Sequence, residues 1–159
     1  MKTLSFAAMF ATLALAPAAA LAGPLPDGGV TAKDVAAALT DKGYKAEITK
    51  GDDGDPVVIS GADGSNFRII FYTCDKAQRC ASIQFVAAFD LKDGMKLSQI
   101  NEWNQTKRFG RAYLDDEMDP YVEMDVDFEH GATSEAVGNV VETWAAVLPA
   151  FKDFVGVDD

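Results

Sequence analysis

The sequence is poor in the residues that carry most catalytic chemistry, with two cysteines and one histidine among 159 residues. That is too few for the usual four-ligand zinc site without carboxylate help. The cysteines, Cys74 and Cys80, lack the C-x-x-C spacing of a redox-active pair. No G-x-S-x-G elbow and no G-x-G-x-x-G phosphate loop occurs, so no cofactor site is expected and the glycine-rich segments read as turns. Positive charge is also scarce: Lys and Arg number 14 against 25 Asp and Glu, a net charge of −11. Such a surface repels nucleic acid and anionic membrane. Any partner it favours is basic. Long apolar runs are missing too, since Leu4–Ala16 falls short of the roughly 20 residues that span a bilayer.

What is present begins with an export signal. Lys2 is a short positive region, Leu4–Ala16 is apolar, Pro17 breaks it, and Ala20-Leu21-Ala22 offers the small-x-small pattern that signal peptidase accepts. Residues 1–22 are therefore expected to be removed, with Gly23 as the new N-terminus and no membrane insertion afterwards. The remaining 137 residues carry 13 basic and 25 acidic side chains, a net charge of −12. A chain of that length suits one domain. The expected destination is periplasmic or secreted, an oxidising compartment in which an isolated Cys74–Cys80 pair reads as a structural disulfide.

Gly23–Val30, rich in Gly and Pro, reads as a flexible leader, and 31–157 as a single domain. Thr31 with Asp34 forms an approximate capping box for a helix from about 32 to 42, with Val35, Ala36 and Leu39 inward and Gly43 after its end. Strands follow at 44–49, 56–60, 66–73 and 81–89, separated by Gly/Asp turns. The last two strands alternate strongly, so Cys74 and Cys80 face each other across a hairpin end. A helix over 96–107 places Leu97, Ile100 and either Trp103 or Asn104 inward. A second hairpin, 108–114 and 121–129, encloses the acidic loop Asp115–Asp119. Thr133 or Ser134 caps a last helix whose stripe is Val137, Val140, Val141, Trp144, Leu148, Phe151 and Val155. Pro149 lies within that stripe and is expected to kink or split the helix. The order α-β-β-β-β-α-β-β-α is α+β, helices on an antiparallel sheet.

The second hairpin carries the most informative surface. Val122, Met124, Val126 and Phe128 share one face; Glu123, Asp125, Asp127 and Glu129 share the other, about 6.6–6.8 Å apart along the strand. Arg111 points to the same side, opposite or diagonal to these carboxylates. This is either a solvated face with one cross-strand ion pair or an acidic strip that receives a basic protein segment. The spacing alone also permits a glycosidase-like carboxylate pair, but an open charged strand lacks the apolar pocket that raises one pKa. A periplasmic hydrolase using surface carboxylates is the rival reading. Asp52, Asp53 and Asp55 lack the full calcium-loop pattern, and His130 reads as an exposed loop residue.

The stretch Ile100-Asn101-Glu102-Trp103-Asn104, followed by Arg108-Phe109-Gly110-Arg111-Ala112-Tyr113-Leu114, resembles the signature of the YbjN family, an I-N-x-W-N helix end running into an R-F-x-R-A-Y strand. The flanks agree: a first helix ending in Gly43-Tyr44, a Cys74…Cys80 hairpin similar to those of exported members, and a last helix with Trp144 and Phe151. The resemblance implies a fold similar to the type III secretion chaperones, with helices on a strongly curved antiparallel sheet. It implies no catalytic residues, in a family loosely called sensory transduction regulators. Asn101 and Asn104 read as fixing the helix-to-strand corner. The combined expectation is an exported, non-enzymatic binding or chaperone-like module, with Arg111, Glu123, Asp125 and Asp127 as partner-binding residues.

Overall fold

The computed structural model describes residues 23–157; the expected signal peptide, 1–22, lies outside the described residues. The chain folds as β1 (Val30–Thr31), α1 (Ala32–Asp41), β2 (Glu47–Lys50), β3 (Pro56–Ala62), β4 (Ser65–Cys74), β5 (Arg79–Ala88), α2 (Leu97–Thr106), β6 (Arg111–Leu114), β7 (Pro120–Asp127) and α3 (Ser134–Val155). This is the expected α+β order with one addition, the two-residue β1. The sheet runs β2-β3-β4-β5-β7-β6, with β1 paired to β5 near its start, and every pairing is antiparallel. β7 therefore sits between β5 and β6, because the chain leaves β5, crosses through α2, lays down the edge strand β6 and returns inward.

Period-2 alternation decides the core. Val58, Ile69, Phe71, Ile83, Phe85 and Val122 point to one face of the sheet and are buried. Against them lie Val35 and Leu39 of α1, Ile100 and Trp103 of α2, and Val137, Val141, Trp144, Leu148, Phe151 and Val155 of α3. Burying each large apolar side chain contributes roughly 1.5–3 kcal/mol. Trp144 packs on Phe67 and Phe85 at ring-centroid distances of 5.7 and 5.4 Å, and Trp103 packs edge-on to Phe151 at 4.8 Å. Thr31 caps α1 as expected, accepting from the Asp34 N–H at 3.2 Å while the Asp34 carboxylate accepts from the Thr31 N–H at 2.8 Å.

Of the two outcomes expected at Pro149, the split does not occur: α3 is one helix of 22 residues with Pro149 inside it. The lost hydrogen bond is outweighed by Leu148 and Phe151, buried on either side of the proline. The Gly/Pro segment 23–30 makes hydrogen bonds to the body of the domain. The Leu25 N–H donates to Ala132 O at 2.8 Å, the Ser134 N–H to Gly23 O at 3.1 Å, and Arg79 Nη1 to Gly29 O at 2.8 Å. Gly29 makes this possible: at φ +114 it passes so close to β5 that a Cβ would lie 1.9 Å from the Cys80 carbonyl oxygen. Cys80, buried beneath this segment, is at disulfide distance from its register partner Cys74.

Candidate functional site

All three helices pack on one face of the sheet, and the residues of the other face converge on one carboxylate. The corner between α2 and β6 sets the geometry. Trp103 is buried, and its indole Nε1 donates to Gly110 O at 2.7 Å. The Asn104 amide grips Ala112 twice: Oδ1 accepts from its N–H at 2.9 Å and Nδ2 donates to its carbonyl at 3.0 Å. The side chain thus acts as one more strand residue on the outer edge of β6. Gly110, at φ +80, lets the chain pass under α3, since a Cβ there would lie 2.8 Å from Val147 Cγ1 and 3.0 Å from Val122 Cγ2.

With β6 pinned, Arg111 stands directly opposite Glu123 in the antiparallel register, and Tyr113 opposite Tyr121. Glu123 is only 8 % exposed and has three donors. Arg111 Nη2 pairs with its Oε2, the Tyr113 hydroxyl donates to Oε1 at 2.9 Å, and Gln84 Nε2 donates to Oε2 at 3.3 Å. The same amide donates to Asp125 Oδ1 at 2.8 Å, and its Oε1 accepts from the Tyr72 hydroxyl at 3.0 Å. Tyr113 stacks on Tyr121 at 5.1 Å. Burial first, then its hydrogen bond to Glu123, pushes the Tyr113 hydroxyl up to about 12. Burial, followed by the charges of Glu123 and Asp125, raises Tyr72 in the same direction.

The four expected site residues therefore divide. Arg111, Glu123 and Asp125 join one network, whereas Asp127 stands apart, its Oδ1 accepting from the Glu129 N–H at 2.7 Å. Glu123 is not part of an open acidic strip, because its carboxylate is covered and fully partnered. Asp125 and Asp127 remain exposed. Three members went unread in the sequence: Gln84, Tyr72 and Tyr113. Their strand parity puts each on the outer face, but bringing them to Glu123 needs the β4–β5, β5–β7 and β6–β7 registers together.

Nothing in this arrangement supports a hydrolase. A general acid needs a carboxyl kept neutral by an apolar pocket, and Glu123 is instead held by a guanidinium, a phenol and an amide. Elsewhere, Asp53 closes its own turn by accepting from the Asp55 N–H at 3.0 Å, and His130 is exposed. Among the described residues no group of three His, Cys, Asp or Glu is placed to hold a metal, and no helix is long and apolar enough to cross a membrane.

The family model described as YbjN, "Putative bacterial sensory transduction regulator", matches residues 31–156. The chain belongs to the YbjN family. No curated protein and no solved structure matches it. The residues whose pattern resembles the YbjN signature are the ones that build the α2–β6 corner: Trp103 and Asn104 from the helix, Gly110, Arg111, Ala112 and Tyr113 from the turn and strand. In this chain the signature acts as a structural lock that fixes one edge of the sheet and points Arg111 and Tyr113 at Glu123.

Proposed function

We propose that this chain is an exported, non-enzymatic binding module of the YbjN family that receives a basic protein segment on the open face of its sheet. The observation that carries the reading is the exposure of Asp125 and Asp127, two residues apart on a central strand, on the face left bare by the helices. Asp125 is steadied by Gln84, so one wall of the site is preorganised, and Ile70 and Tyr72 on β4 supply apolar surface beside it. Export rests on the apolar N-terminal segment with its small-x-small cleavage site, and the Cys74–Cys80 pair is consistent with an oxidising compartment.

The binding test uses a labelled Lys/Arg-rich peptide of alternating pattern followed by fluorescence anisotropy. Asp125→Asn with Asp127→Asn, leaving Glu123 intact, is expected to weaken binding severalfold and flatten its salt dependence. Unchanged affinity and salt dependence in the double variant overturn the assignment of this face. The export test is the N-terminal sequence of the protein recovered from a periplasmic fraction: Gly23 supports the reading, and an intact Met1 in the cytosol overturns it.

A further inference from the structure

Among the described residues, three of the six exposed large hydrophobic side chains lie at the two ends of one structural unit, the pair formed by α2 and the edge strand β6. The two elements run side by side and are similar in length, about 15 Å for ten helical residues and about 13 Å for four strand residues. At one end stands Phe109, 49 % exposed, flanked by Lys107 and Arg108. Lys107 Nζ lies 5.5 Å from the Trp103 ring and the Arg108 guanidinium 5.2 Å from the Phe109 ring. Neither cation has a carboxylate partner among the described residues. Between Phe109 and α3 opens an apolar cavity of about 360 Å³, floored by Thr143, Ala146 and Ala150.

At the other end stand Leu97, 69 % exposed, and Met118, 39 % exposed. The backbone ties Met118 to the approach of α2: the Met95 N–H donates to Met118 O at 2.9 Å, two residues before Leu97. Met118 follows Asp116 and Glu117, which are exposed and make no ion pair among the described residues. Over residues 90–97 and 115–119 this end carries Asp90, Asp93, Asp115, Asp116, Glu117 and Asp119 against Lys92 and Lys96, an excess of carboxylate over ammonium.

Met118 is also held in an unusual way. Three turns among the described residues share one build: the fourth residue is left-handed and its N–H bonds back to the carbonyl of the first, while the N–H of the first donates to the carbonyl of the fifth (Gly51 to Asp55, Asp75 to Arg79, Asp115 to Asp119). That fourth residue is Gly54 in the first, Gln78 in the second and Met118, at φ +67, in the third. A left-handed residue is costly for any side chain but glycine's. Only the third turn accepts that cost for a large apolar group and then leaves the group in water.

We infer that the α2–β6 edge is a self-association surface, on which a second copy of this chain docks by a two-fold axis across the middle of the unit. The axis runs the two units antiparallel, so each basic end meets the other copy's acidic end. Met118 of each copy then enters the cavity beside Phe109 of the other, where its flexible thioether contacts the aromatic rings, and Asp116 and Glu117 reach Lys107 and Arg108. The hydrogen bonds from Asn104 already occupy the edge of β6 at Ala112, so the contact is made by side chains rather than by strand addition.

The test is sedimentation equilibrium of the purified protein from about 1 to about 300 µM, the span of a weak to moderate dimer. The expected result is a concentration-dependent dimer. Phe109→Asp is expected to weaken it at least about tenfold. Arg108→Glu and Glu117→Lys are each expected to weaken it roughly three- to tenfold, and the double variant, whose net charge equals that of the starting protein, is expected to recover most of that loss. A monomer throughout overturns the inference, as does a dimer indifferent to Phe109→Asp or a double variant as weak as the two single losses combined. Circular dichroism of each variant checks that it remains folded.

Discussion

The Trp103 indole donates to the Gly110 carbonyl at 2.7 Å, seven residues along the chain and across the corner from α2 to β6. The Trp144 indole, equally buried, has no partner for its N–H among the described residues. The two tryptophans therefore answer the same substitution differently. Trp103→Phe leaves a carbonyl unmet, whereas Trp144→Phe removes an orphan donor. Urea denaturation is expected to show Trp103→Phe the more damaging by about 1–3 kcal/mol. Equal costs would show that the Gly110 contact contributes nothing net.

Trp144 still matters for its volume. It fills the space between Phe67, Phe85 and α3. Trp144→Ala is expected to cost about 3–5 kcal/mol, the usual range for a buried aromatic truncation. A denaturation midpoint equal to that of the unmodified protein would contradict the burial.

Asn104→Ala frees the Ala112 N–H and carbonyl from their side-chain partners. Its expected cost is about 1–2 kcal/mol, since water can reach part of the edge. Hydrogen exchange at the Ala112 amide is expected to speed up while exchange in β4 and β5 stays as it was. Equal acceleration across all strands would instead indicate a global effect.

Tyr113 predicts an alkaline limit to stability. Its hydroxyl is held up to about 12 in the folded chain and ionises near its ordinary value of 10 when unfolded. Between those values the unfolded chain has lost the proton and the folded chain still holds it. Stability is therefore full below pH 10 and falls as pH rises toward 12. Tyr113→Phe is expected to flatten that slope and to remove the latest tyrosinate absorbance step of the folded protein. A slope unchanged in the variant would locate the alkaline sensitivity elsewhere.

Cys74 and Cys80 are expected to give no free-thiol signal in protein recovered from its native compartment. Two titratable thiols in that sample would refute the disulfide.

Much of the fold was legible because its signals are local. The alternation of Phe67, Ile69 and Phe71 with Arg68, Ile70 and Tyr72 marks a strand and its two faces at once. The Thr31–Asp34 capping box and the Val137–Val155 stripe did the same for helices. The site was half legible. Parity placed Arg111, Glu123, Asp125 and Asp127 on one face, but parity says nothing about what covers a residue. Glu123 is buried by Tyr113, Arg111 and Gln84, and Gln84 arrives only because β7 inserts beside β5, a pairing of strands some 40 residues apart. β1 was illegible for a similar reason: two residues after a pair of glycines make no pattern until Cys80 is beside them.

The attachment of residues 23–31 also bears on the order in which the protein is completed. Gly23, Pro24 and Leu25 meet Ala132, Thr133 and Ser134, a separation of 111 positions between Gly23 and Ser134. The hairpin carrying Cys74 and Cys80, six positions apart, needs nothing distant in order to form. A chain emerging from its N-terminus can therefore close that hairpin early and pair Val30 and Thr31 with its second strand, while residues 23–25 wait for the start of α3. Residues 132–134 thus decide when residues 23–25 stop being accessible to proteases.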